Sequence, residues 1–353
     1  MKLTNRTALR GGKKMRAGIK WMFLILGTII GAGYASGREL WEFFGFESGL
    51  AIGIFTVIFI IAVYVIMKIS YEERTQHFFP VLEKLVGKKL SYVYDVLIVL
   101  YLFTTTIVMI AGGGATLESF SIPYWWGIAF FSILLVLLFL GNSNSIIKLN
   151  AIIIPLLVVG LFYALLSFNI SHHHSWVLDL NKQYNWPSAF TFTALNILPL
   201  IAVLSAIGRE IKSLREAKVA SIGSGLILGA ISFVYNETLV QMADYLTDYE
   251  IPLFAVLKGS PFVFFLFMSV MLWLAIYTTA VSGIFGLASR FKHIVRIPYS
   301  IVALLLVLTM IPFTRFGFTN LVSVLYPLYG LINLYLLVSI LLYPLLNRYK
   351  TST

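Results

Sequence analysis

Long apolar runs alternate along the chain with short charged or turn-rich breaks, and the runs are apolar on every side rather than striped. Ile52–Met67 and Phe262–Ala275 lack the polar face that an amphipathic helix on a soluble core would carry. Most runs reach the roughly 20 residues needed to cross a hydrocarbon core about 30 Å thick. The pattern predicts ten spans at about 18–44, 48–68, 91–118, 124–140, 148–168, 188–208, 219–238, 262–288, 298–314 and 318–343. No segment shows the alternating polarity of an outer-membrane barrel strand, so helices are the remaining way to satisfy the backbone in lipid. The expected class is an all-α polytopic membrane protein.

Composition sharpens this picture. Of 353 residues, 59% are hydrophobic and 12% charged, with a mean hydropathy of +0.90, which leaves no room for a sizeable soluble domain beside ten spans. The absence of cysteine excludes disulfides, thiolate metal sites and cysteine catalysis. No HExxH or phosphate-binding GxxxxGK is present, and no organic cofactor or enzyme activity is expected.

The formal charge of +11 at first points to nucleic acid, but its placement points to topology. With the N-terminus inside, 22 of the 26 Lys and Arg residues fall in inner segments, and only Arg38, Lys182, Lys258 and Arg315 fall outside. That asymmetry follows the positive-inside rule and places both termini in the cytoplasm of a cell-membrane protein whose partners are lipid and a small molecule. The oligomeric state is left open. A cleavable signal peptide over the basic start and Trp21–Ile30 is the competing reading of the N-terminus.

Two spans carry helix-breaking signals. In the first, Gly27, Gly31, Gly33 and Gly37 place four glycines in eleven residues, each costing about 1 kcal/mol of helix propensity against alanine. Close packing through small residues is the plainer alternative. In the sixth, Asn196-Ile197-Leu198-Pro199 puts a proline where it removes an amide donor. The first and sixth spans hold corresponding positions in two five-span halves. Paired interruptions at such positions point to an inverted-repeat transporter site. The division runs as a basic N-terminus (1–17), a first repeat (18–168), an outer loop (169–187), a second repeat (188–343) and a tail (344–353).

Gly27-x-x-Ile30-Gly31-x-Gly33, the break at Asn196–Pro199, and Ala275-x-x-Thr278-Thr279 resemble the LeuT-type fold of the amino acid–polyamine–organocation superfamily. More narrowly, Gly31–Glu39 with Thr278–Gly283 is similar to the YkvI-like bacterial membrane proteins. The resemblance implies ten helices in a 5+5 inverted repeat with helices 1 and 6 interrupted. It also implies a sodium site made by the carbonyls of Gly27, Ile30 and Ala275 and the hydroxyls of Thr278 and Thr279. Five neutral oxygens suit such a cation. Back-bonding of the two threonines to their own helix is the competing reading. Proton-coupled relatives place a lysine in the fifth span; here that span has Lys148 only at its inner end, which favours sodium.

For the organic substrate, the helix restarting at Gly31, Ala32, Gly33 and Tyr34 would offer amides to a carboxylate, and Asn196 beside Pro199 an adjustable polar group. The aromatic residues Tyr34, Tyr101, Phe103, Trp273 and Tyr277 are candidates to cage an ammonium. Arg38, Glu39, Glu118 and Glu237 lie toward outer helix ends as candidate gates, and Arg209-Glu210 lies at an inner one. No acid is expected at mid-depth. All five histidines, His77, His172–His174 and His293, fall in predicted loops. The function read from these features is secondary transport of a small amino acid or related amine, coupled to sodium or protons. A ligand-sensing receptor or channel subunit on the same fold is the alternative.

Overall fold

A computed structural model describes residues 17–140, 145–171, 182–291 and 298–350. The basic segment 1–16, His172–His174 and His293 lie outside the described residues.

The ten predicted runs are helical. The first is split into α1 (Ala17–Ile29), α2 (Ala32–Ala35) and α3 (Arg38–Phe43). It is followed by α4 (Gly49–Glu72), α5 (Phe79–Glu118), α6 (Tyr124–Leu140) and α7 (Ser145–Ser171). The second half holds α8 (Ser188–Ala206), α9 (Leu214–Gln241), a short α10 (Pro252–Leu257) and α11 (Phe262–Phe291). The last two spans are α12 (Tyr299–Met310), extended by a 3-10 turn Ile311–Phe316, and α13 (Phe318–Ile332) continued by α14 (Leu334–Lys350). α5 is longer than its predicted span because Gly87 (φ 79°, ψ 165°) joins an amphipathic lead-in to the membrane-crossing part.

Large apolar side chains such as Val57, Val96, Trp126, Ile152 and Val263 stand more than half exposed on the outside of the bundle, where lipid covers them. Inside, close packing uses small residues: side chains at Gly225 and Gly229 of α9 would strike Ile60 and Thr56 of α4. The most extensive contacts join α4 to α9 and α5 to α11. These are the second span with the seventh and the third with the eighth, the pairing that a pseudo-two-fold between inverted halves produces.

Described basic residues pair with acids of neighbouring segments at the helix ends. There Lys20 pairs with Glu210 at 3.4 Å, Arg290 forms a two-point pair with Asp95 (Nη1–Oδ2 2.7 Å), and Lys84 donates to Glu73. That last hydrogen bond holds the Lys84 ammonium above its ordinary titration range. His77 sits in the loop beside it. α1 is locked into the bundle: Ile25 and Leu26 are fully buried, and the Trp21 indole donates to Glu216 (3.3 Å). Glu216 in turn accepts from the Lys212 amide and the Ser213 hydroxyl at the start of α9.

Candidate functional site

The first span breaks where its glycines cluster. The Gly31 amide donates to the Ile29 carbonyl (2.8 Å) instead of the Gly27 carbonyl, so Gly27 loses its helical donor. Helical bonding resumes when Ala35 donates to Gly31 (2.9 Å), and it stops again at Gly37, whose φ of +82° closes the single turn α2. Only glycine takes that conformation at no steric cost, and the Tyr235 ring stands 2.7 Å from where a Cβ would lie. The Ser36 carbonyl accepts from the Leu253 amide (2.8 Å), which fixes α10 over this second break.

The sixth span corrects the expected symmetry. α8 runs unbroken from Ser188 to Ala206 with Pro199 inside it, so the helix interruption is confined to the first span. Membrane helices tolerate an internal proline when their neighbours shield the freed carbonyl. Asn196 is buried and folds its amide onto the Phe192 carbonyl (2.8 Å).

Opposite the first break stands α11. The ideal Cβ position of Gly31 is 3.8 Å from Thr279 Cγ2 and 3.9 Å from Thr279 Oγ1. Both Thr278 (3.1 Å) and Thr279 (2.8 Å) donate to the Ala275 carbonyl, which leaves the lone pairs of both hydroxyls available. Back-bonding and proximity to the break are therefore both present. α2 packs against α11, and of the five predicted ion ligands Ile30, Ala275 and Thr278 are buried, while the nearest side chain to the Cβ position of Gly27 is Ile154 of α7 at 3.4 Å.

The predicted substrate residues divide. Ala32 is buried just past the break, the Cβ position of Gly33 meets Glu39 and Tyr326, and Asn196 and Tyr101 are electrostatic neighbours of Glu39. Tyr34 is fully buried, but its hydroxyl is committed to the Leu228 carbonyl and Ser232 (2.9 Å each) and its ring stacks on Phe192, so it ties α2 to α9. Tyr277 points away: its hydroxyl donates to the Leu134 carbonyl (2.8 Å) and its ring stacks on Trp273 at 5.6 Å, both against α6. Phe103 packs on Phe313, also outside the site.

The gate candidates divide as well. Arg38 approaches Glu42 at 3.3 Å within α3. Glu118 lines a cavity of about 530 Å³ with Asp248, Glu250 and Lys258. Glu237 lies on α9, where its carbonyl accepts from the Gln241 amide (3.0 Å). Glu39 departs from its predicted place near the outer end. The turn at Gly37 folds α3 back, so that Glu39 Oε2 lies 2.7 Å from the ideal Cβ position of Gly33, with Tyr326 Cε2 at 2.8 Å. Asn196 is a neighbour of the carboxylate, and Glu39 is only 5% exposed. Sequence reasoning placed no acid at this depth because it extended α1 as one straight helix past Gly37.

No family model matches the chain. It is 57% identical to YyaD of Bacillus subtilis (strain 168) over 335 residues, 95% of this chain and 99% of that protein. The chain belongs to the YyaD family. The Bacillus subtilis membrane protein YkvI is 24% identical to this YyaD-family chain over 328 residues, 88% of this chain and 92% of YkvI. Among solved structures, a manganese transporter of Eremococcus coleocola superposes with a TM-score of 0.62 at 14% identity, covering 93% of this chain and 78% of that one. Mhp1, a nucleobase-cation-symport-1 family transporter, gives 0.59 at 14% identity over 88% and 74%. A Na+-coupled sialic acid symporter gives 0.50 at 14% identity over 92% and 85%. At these identities the likeness establishes the fold, and the fold is LeuT-type.

Proposed function

We propose that this YyaD-family protein is a secondary active transporter of the cell membrane that carries a small amino acid or related amine by alternating access, with sodium as the coupling ion. The observation that carries the reading is the first-span break at Ile30–Gly31, where Ile30 is fully buried and Gly31 faces the Thr279 hydroxyl. Unwound backbone at membrane depth is tolerated where it serves a buried site, because its freed carbonyls would otherwise face lipid unpaired. Freed carbonyls and neutral hydroxyls together replace the hydration shell of a monovalent cation without a full counter-charge.

The named structural neighbours all move solutes across membranes, and the names of two include cation coupling. Manganese fits this chain poorly: among the described residues no three His, Cys, Asp or Glu side chains gather to hold a metal ion. With both termini cytoplasmic, the basic end of the bundle would face the cytosol and the cavity at Glu118 the outside.

Purified protein in liposomes, offered a panel of amino acids and amines with and without an inward sodium gradient, tests the reading. Concentrative uptake that collapses with the gradient is expected. Ligand binding without any uptake would identify a receptor on this fold instead.

A further inference from the structure

Among the described residues the buried acid of the site has no basic partner. Glu39 Oε1 makes no hydrogen bond. The neighbouring Arg38 turns toward Glu42, and among the described residues no Lys, Arg or His pairs with Glu39. A carboxylate removed from both water and counter-charge is strongly disfavoured, and an ionisable group at this depth in a membrane protein marks a functional position.

Its surroundings specify what would satisfy it. Tyr326 crowds Gly33 from the same side as the carboxylate, and Tyr101, whose ring meets Tyr329 edge-on at 5.2 Å, is an electrostatic neighbour of Glu39. Aromatic faces around a single negative charge suit an alkylated ammonium, which gains both ion pairing and cation–π contact. Among the described residues no further His, Cys, Asp or Glu side chains join Glu39 in a group of three that could hold a divalent metal. A cargo carboxylate would meet Glu39 itself, and α2, a single turn, gives no helix terminus to offset that repulsion. The threonine cluster of α11 offers neutral oxygens only, so the two cations have separate places.

We propose that Glu39 is the counter-ion for the cationic head of the cargo, and that the cargo is an organic ammonium of net charge +1, bound between the carboxylate, Asn196 and the rings of Tyr101 and Tyr326. The assignment rests on the transporter reading and narrows its substrate class. It also reverses the expectation of a zwitterion held by backbone amides.

The test uses the full chain in lipid nanodiscs at fixed sodium and pH, with ethylammonium, tetramethylammonium, alanine and acetate as probes and thermal stabilisation and calorimetry as readouts. One or both ammonium probes should bind, and acetate should not. Glu39→Gln should weaken the ammonium by about 10- to 100-fold while eluting as a single species, since the buried ion pair with the carboxylate is lost. Glu39→Asp should retain part of the affinity. Equal ammonium binding by wild type and Glu39→Gln would overturn the assignment, as would preference for alanine or acetate over both ammonium probes. So would a wild type that responds to pH but to no ammonium, which would make Glu39 a proton site. Uptake of some panel compound that is insensitive to Glu39→Gln sinks this assignment and leaves transport standing. Absence of uptake for every compound sinks transport, and ammonium binding then decides the role of Glu39 on its own.

Discussion

The first and sixth spans carry the same kind of warning in their sequences and respond differently. Four glycines interrupt the first at Ile30–Gly31 and again at Ser36–Gly37, whereas Pro199 stays inside the continuous helix Ser188–Ala206. Proline removes one donor but leaves its own φ helical, so a packed neighbourhood can absorb the loss. A left-handed glycine takes the chain out of helical geometry altogether and changes the direction of everything after it. The consequence is functional. The turn at Gly37 brings Glu39 back to Gly33 and Asn196, while the proline of the sixth span moves no side chain into a new place.

The largest effect should come from removing that turn. Gly37→Val forces a β-branched residue to φ +82° and drives its side chain into the Tyr235 ring. Left-handed strain of about 1–2 kcal/mol and overpacking of about 1–3 kcal/mol combine to a loss of several kcal/mol. A large drop in Tm in detergent is expected, and a stable, ligand-binding Gly37→Val protein would show that the turn does not shape the site.

The next effect concerns what the first break faces. Valine at both Thr278 and Thr279 keeps the shape and removes the hydroxyl oxygens. If sodium binds there, saturating sodium should stabilise the wild type by about 2–3 kcal/mol at a hundred times its Kd, and the double variant by nothing measurable. Sodium titrations of Tm read this directly, and an unchanged sodium response in the variant would remove the hydroxyls from the ligand set.

The proline should matter less to stability. Pro199→Ala restores an amide donor in a helix that is already continuous, so stability should hold or rise by about 1 kcal/mol. A fall of several kcal/mol would mean that the sixth span depends on its proline as the first depends on Gly37.

The spans were legible because hydropathy over twenty residues is a strong signal, and α4, α6 and α9 lie where the runs placed them. The first-span break was legible from glycine spacing. The fate of Glu39 was not, because it depends on the sign of one backbone angle at Gly37. Tyr277 was misplaced for a different reason. It is two residues from Thr279, a rotation of about 200° on a helix, so a threonine that faces the first break sends the tyrosine toward α6. That phase was available in the sequence. Tyr34 carried no such signal, since its partners Leu228 and Ser232 lie almost two hundred residues away.

The smallest effect joins the two spans directly. Lys20 at the base of α1 reaches Glu210 just past the end of α8, and the two side chains are 66% and 60% exposed. Solvent and salt screen such a pair, so Glu210→Gln should change stability by less than about 1 kcal/mol. Its kinetic role is separable from that, because the first and sixth spans must part at the basic end if cargo is to leave there. Thr75, which donates to the Ser205 carbonyl (2.7 Å) and accepts from the Arg209 amide (3.2 Å), already holds the end of α8 without the ion pair. The expected result of Glu210→Gln is therefore an unchanged Tm with faster exchange of bound cargo, most visible at low ionic strength and vanishing at high salt. Exchange rates identical to wild type at both salt concentrations would reduce the pair to a surface contact. The closure of the basic end would then rest on the buried Trp21–Glu216 hydrogen bond, which ties the first span to the seventh rather than the sixth.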